Sequence, residues 1–256
     1  MSSIKFGLFS DLHATLPGTE ERGYSSRSLS DMKRGMERFV AAGADFAVCL
    51  GDMTQPARDK AEQYAQIRDI VDTWNSYGIP VYGVLGNHEF QQLSWQQIFE
   101  IWNVERGYWS FDLDDVRFII LDTNIRPDGV HFSEDDFEWC YSIIDQEQLH
   151  WLKEQLSAKK RTFIFTHANL YFDPASEDAK WYQILNHEEV VNILAASGCV
   201  DTVFQGHHHT YWLGYDRGIR YVNISSPEQS PAYTDNDFPI IEITDGALIY
   251  NGTALI

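Results

Sequence analysis

Short apolar runs recur along this chain, at residues 4–9, 45–50, 80–85, 116–121, 162–165 and 200–205, and helical patterns lie between several of them. Runs of that length bounded by turn residues read as buried strands. Apolar residues spaced near a 3.6 period across 29–42, 57–77, 146–159 and 186–196 read as the helices that cover them. Further strands are expected at 210–215, 219–224, 239–244 and 247–250. Strands alternating with helices and closed by hairpins restrict the chain to an α/β layer architecture with mixed sheets. No repeat, low-complexity tract or Pro/Gly/Ser-rich linker interrupts it, so one domain over 1–256 is expected.

Charge narrows the class of partner. The 256 residues carry 19 basic and 38 acidic side chains, a formal charge of −19. That excess opposes nucleic-acid backbone and anionic lipid, so neither a nucleic-acid polymer nor a membrane is an expected partner. An anionic small molecule would need local positive charge. No apolar run approaches the roughly 18 residues of a membrane span. The first residues turn polar too soon for a secretion signal and read as a first strand. Cys49, Cys140 and Cys199 are odd in number and form no CxxC pair, so neither a disulfide framework nor a thiolate zinc site is indicated, and a cytoplasmic setting is expected. The oligomeric state is not legible.

The polar residues that follow the strands carry the chemistry. Ser10-Asp11-Leu12-His13 follows the first run, Gly51-Asp52 the second and Gly86-Asn87-His88-Glu89 the third; later runs deliver Thr166-His167 and Gly206-His207-His208-His209. Strand C-terminal ends gather at one edge of an α/β sheet, where ligands bind. Asp11 and His13, like His207 and His209, stand two residues apart, which in extended chain projects both side chains to one side. Gly51, Gly86 and Gly206 let the backbone turn sharply and approach an ion. Taken singly, each residue has an ordinary reading as a cap, a core histidine or a turn. Together, oxygen and imidazole ligands without thiolate suit Mn, Fe or Zn, and they are numerous enough for two ions sharing a carboxylate.

The ordered set DxH, GD, GNHE, H and GHxH, from Asp11 to His209, resembles the calcineurin-like metallophosphoesterase family. The resemblance implies a four-layer αββα sandwich with two mixed β-sheets and a two-metal site at the strand ends. It implies one ion on Asp11, His13, His209 and the bridging Asp52, and a second on Asp52, Asn87, His167 and His207. His88 would be the catalytic histidine that contacts the reacting phosphate, and His208 a non-ligand. Arg22-Gly-Tyr-Ser-Ser-Arg27-Ser-Leu, Gly86-Asn-His-Glu-Phe90, Asp145-Gln-Glu-Gln-Leu-His-Trp151-Leu and Asn186-His-Glu-Glu look like the manganese-dependent ADP-ribose/CDP-alcohol diphosphatase branch. His13 instead looks like the class III cyclic-nucleotide and glycerophosphodiester phosphodiesterases, since that branch usually has Gln there. Gln55 departs from the wider family, many of whose phosphatases place there an Asp that orients the catalytic histidine.

Two ions sharing Asp52 would activate a bridging water for in-line attack on phosphorus. Two ions bring about +4; Asp11, Asp52 and the attacking hydroxide remove 3, leaving roughly +1. That balance fits a phosphodiester or one phosphoryl unit of a pyrophosphate better than a doubly charged monoester. The expected function is therefore hydrolysis of a diester or pyrophosphate bond in a small, nucleotide-like phosphoester. A phosphomonoesterase on the same site and a silent metal-binding scaffold are the alternatives. Arg22 and Arg27 are candidate substrate contacts. Loops 14–27, 124–141 and 169–185 are long, and the last two are rich in rings that could stack on a nucleobase or pack the loops down.

Overall fold

The computed structural model describes residues 3–15, 27–134 and 138–255. Its elements in chain order are β1 (Ile4–Phe9), α1 (Arg27–Ala41), β2 (Phe46–Cys49), α2 (Lys60–Asn75), β3 (Val81–Gly83), α3 (Trp95–Trp102), β4 (Trp109–Leu113), β5 (Val116–Ile120), α4 (Gln146–Leu156), β6 (Arg161–Thr166), α5 (Ala179–Tyr182), α6 (His187–Ser197), β7 (Val200–Gln205), β8 (Trp212–Asp216), β9 (Ile219–Asn223), β10 (Ile240–Ile243), β11 (Leu248–Tyr250) and β12 (Thr253–Leu255). The strands form two six-stranded sheets, ordered β12-β11-β10-β1-β2-β3 and β4-β5-β6-β7-β9-β8. In the first, β1, β2 and β3 run parallel and β10 returns antiparallel. In the second, β5, β6, β7 and β9 run parallel between antiparallel edges β4 and β8.

Alternation along each strand feeds separate apolar clusters. Phe6 and Leu8 of β1 and Phe46 and Val48 of β2 meet Phe118, Phe163, Phe165 and Phe204 of the other sheet. Phe6 stacks on Phe46 at 5.0 Å and meets Phe165 and Phe204 edge-on at 5.8 Å. The intervening Phe9, Ala47 and Cys49 face Met36, Ile70 and Ile98 on α1, α2 and α3. On the far side, Ile119, Ile164 and Val203 pack on Leu152 of α4 and Leu194 of α6. Helix, sheet, sheet and helix layers around these clusters make the αββα sandwich that the sequence pattern implies.

Several elements exceed the expectation. Helix α3 carries a capping box between Ser94 and Gln97, and β4 alternates Trp109, Phe111 and Leu113 inward; both signals stand in the sequence. Strand β12 pairs with β11. The expected run 80–85 shortens to Val81–Gly83, and the helix expected from residue 57 begins at Lys60, where the Asp59 side chain accepts from the Glu62 amide. Loop 169–185 contains α5. Residues 16–26, including Arg22, lie outside the described residues, as does Phe137.

Candidate metal centre

The residues that follow β1, β2, β3, β6 and β7 converge. Asp11, His13 and His209 place ligand atoms within 4.8 Å of one another, and so do Asp52, His167 and His207; His13, Asp52 and His88 form a third such group. Asp52 belongs to two of them and links the set. Its Oδ2 lies 3.3 Å from His167 Nε2 and 3.8 Å from His13 Nε2. Asn87 Oδ1 stands 3.1 Å from His167 Nε2, which stands 3.1 Å from His207 Nδ1. On the other side His209 Nε2 lies 3.3 Å from Asp11 Oδ1 and 2.9 Å from His13 Nε2.

The backbone reaches this arrangement differently from the expectation. Asp11, His13, Asp52, His207 and His209 take φ of 51°, 42°, 54°, 68° and 65°. Extended chain is therefore not what aims each i, i+2 pair; left-handed turns do. Such a conformation costs a non-glycine residue roughly 1–2 kcal/mol and persists where the surroundings impose it. Gly51 has φ 102°. A Cβ on Gly86 would sit 2.2 Å from the Asp52 amide nitrogen, so two strand-end loops approach too closely for any side chain.

Carboxyls and imidazoles shift one another within the cluster. Burial alone would raise the Asp11 and Asp52 carboxyls, but the adjoining imidazoles, His209 for Asp11 and His167 for Asp52, hold both well below the ordinary range. Burial lowers His13 and His207 to about 3. Burial opposes protonation of His167 too, yet the Asp52 carboxylate pushes it up to about 9, and Asp11 likewise raises His209 against its burial. The carboxylates that favour positive charge on these two rings would favour a bound cation in the same way. Imidazole nitrogens aimed at each other, two carboxylates, one amide oxygen and no sulfur fit a pair of Mn, Fe or Zn ions.

The next shell sets the rings. His167 Nδ1 lies 2.8 Å from the Leu50 carbonyl oxygen, His13 Nδ1 2.6 Å from Gln55 and His209 Nδ1 3.0 Å from Gln229. Gln55 thus engages His13 rather than His88. His88 Nδ1 is buried with no hydrogen-bond partner among the described residues. Its ring meets that of His13 edge-on at 4.6 Å, its Nε2 lies 4.0 Å from Asp52 Oδ2, and its side chain is 20% exposed. Burial also holds its pKa down.

Glu89 closes the Gly86-Asn87-His88-Glu89 motif, whose pattern alone assigns it no work. The side chain is fully buried and accepts from the amides of Asp52, Met53 and Gly86; burial, with Asp52 beside it, pushes its carboxyl up to about 7. Arg27, a candidate substrate contact, is engaged with the protein itself. Its guanidinium donates to Asp31 Oδ2 and to the carbonyls of Pro227, Ser230 and Pro231, pinning that segment to α1. His208 stacks on Phe172 at 4.1 Å, outside the ligand groups. Among the loop rings, Phe132 and Phe172 are core-packed. Trp139 and Tyr182 instead meet the His207 ring at 5.6 and 5.3 Å, and Trp139 is 41% exposed. His131 pairs with Asp122, just after β5, at 2.7 Å.

Two sheets with a histidine and carboxylate cluster at their strand ends define a metallophosphoesterase architecture. A model of the calcineurin-like phosphoesterase family matches residues 4–211, and the chain belongs to that family. A manganese-dependent ADP-ribose/CDP-alcohol diphosphatase of Arabidopsis thaliana is 20% identical over 271 residues, covering 90% of this chain and 86% of that protein. The tartrate-resistant acid phosphatase type 5 of Rattus norvegicus is 25% identical over 218 residues, and the match spans 78% of this chain but 65% of the rat protein. A dimetal phosphatase from Danio rerio shares the fold with a TM-score of 0.77 at 17% identity, over 98% of this chain and 96% of that one. Among the described residues no helix is long and apolar enough to cross a membrane.

Proposed function

We propose that the protein hydrolyses a phosphodiester or pyrophosphate bond in a small, nucleotide-like molecule, with Asp11, His13, His209 and Asp52 holding one metal ion and Asp52, Asn87, His167 and His207 a second. The observation that carries this reading is the place of Asp52 between two ligand groups, its Oδ2 3.8 Å from His13 Nε2 of one and 3.3 Å from His167 Nε2 of the other. Bound ions would supply Lewis acidity and a more acidic water. The remaining work belongs to the chain. Asp11 and Asp52, held as carboxylates, set the charge of the site, and the ordered rings fix where a phosphoryl group can lie.

His88 is the catalytic residue of this proposal. Its exposed edge offers an N–H to a non-bridging or leaving oxygen. With Gln55 engaged elsewhere and Nδ1 unpartnered among the described residues, it acts as a positioned donor without a carboxylate behind it. Trp139 and Tyr182 beside His207 offer a stacking wall for a base. Resemblance to the diphosphatase branch and the charge balance of the site both favour a diester or pyrophosphate.

The deciding experiment compares bis-p-nitrophenyl phosphate with p-nitrophenyl phosphate in the presence of Mn²⁺. ADP-ribose, CDP-alcohols, cyclic nucleotides and glycerophosphodiesters follow. Turnover of the diester and of at least one nucleotide supports the reading. Turnover of the monoester alone would replace it with a phosphomonoesterase, a reading favoured by the name of the rat relative.

A further inference from the structure

Both imidazoles of one ligand group are backed by a glutamine. The amide nitrogen of Gln55 lies 2.6 Å from His13 Nδ1, that of Gln229 lies 3.0 Å from His209 Nδ1, and the two Nε2 atoms face each other at 2.9 Å. Each glutamine therefore stands at the ring nitrogen remote from the facing pair.

A cation held by both rings needs both Nε2 atoms as lone pairs, both Nδ1 atoms with their hydrogens, and both glutamines as acceptors. A primary amide meets that condition with its oxygen toward the ring, whereas its NH₂ there would force the ring hydrogen onto Nε2. In the second ligand group His167 Nδ1 faces the Leu50 carbonyl oxygen at 2.8 Å, which accepts in the same way.

We infer that Gln55 and Gln229 are positioning residues that present their amide oxygens to Nδ1 of His13 and His209 and hold both rings in the Nδ1–H form for the ion of this subsite. Gln55 is buried at 6% exposure and carries the larger effect. Gln229 is exposed, on the segment that Arg27 pins to α1. This inference rests on the two-metal reading proposed above.

Zinc, which is diamagnetic, tests it on the full chain. ¹⁵N-edited imidazole spectra should show both His13 and His209 as Nδ1–H after zinc is added. In calorimetric titration Gln55→Met should weaken one zinc site about 10–100-fold and leave the other unchanged. Gln55→Glu, which still accepts, should restore the affinity, and Gln229→Met should have the smaller effect. A hydrogen retained on Nε2 of either ring in the zinc-loaded protein overturns the inference, as does Gln55→Met binding two ions like the wild type. A wild-type chain that takes up no zinc overturns the metal reading together with it. Should Gln55→Met not fold, Gln229→Met decides the matter: a weaker zinc site supports the inference and wild-type affinity overturns it.

Discussion

Glu89 and Asp52 interlock two strand-end loops: the Glu89 carboxylate accepts from the Asp52 amide at 3.1 Å, while Asp52 Oδ1 accepts from the amide of His88 at 2.8 Å. The same Glu89 carboxylate takes the amides of Met53 at 2.6 Å and Gly86 at 2.8 Å. One buried acid thus satisfies three N–H groups that the tight loops leave without strand partners. Glu89→Gln turns an NH₂ toward those donors and should destabilise the ion-free protein by about 3 kcal/mol. Urea unfolding checks it; an unchanged midpoint would mean that the loops hold their shape without Glu89.

Asp52 and His88 should separate metal binding from turnover. Asp52→Asn tolerates the left-handed backbone but loses the shared charge, so elemental analysis should find neither ion retained at wild-type occupancy. His88→Ala should keep both ions and slow hydrolysis on the order of 10²–10⁴-fold, the loss expected for a missing proton donor. Equal metal loss in the two variants would mean that the roles are misassigned.

Trp139 tests the shape of the substrate. If its indole and Tyr182 form a wall for a base, Trp139→Ala should raise KM for a nucleotide substrate by the equivalent of about 1–3 kcal/mol and leave a ring-free glycerophosphodiester unaffected. A uniform change across both substrates would instead assign Trp139 to loop packing.

The His131–Asp122 pair predicts a pH dependence. Burial would lower His131, but the Asp122 carboxylate at 2.7 Å outweighs it and raises the ring above its ordinary 6.5. Burial would raise Asp122, but His131 holds it below 3.8. The histidine contribution is complete below pH 6.5 and fades as pH rises through the raised value. The aspartate contribution is complete above 3.8 and fades as pH falls through the lowered one. His131→Gln should therefore be less stable than wild type between those limits, and the difference should shrink above them. Unfolding midpoints from pH 5 to 9 for both proteins measure it. A constant difference across that range would argue against the ion pair.

Much of the architecture and the composition of the site were readable from residue order. Apolar runs such as residues 4–9 and 200–205 alternate inward and outward on a period that geometry alone dictates, and the acids, amide and imidazoles stand where such runs end. The elements that residue order signals least are those whose pattern is brief. The capping box of Ser94 and Gln97 and the alternation of Trp109, Phe111 and Leu113 each span only a few residues.

Residue order by itself determined the layered fold and which side chains a metal centre would draw upon, because both depend on local periodicity and on chemistry carried by each residue. Tertiary structure alone decided which atoms face which. Gln55 and His13 are 42 residues apart, and Arg27 and Pro227 are 200. No local pattern distinguishes a glutamine that backs His13 from one that backs His88, or an arginine that binds a loop from one that binds substrate. Those choices are made by packing, when distant strands bring their ends to one edge and each buried donor must find an acceptor.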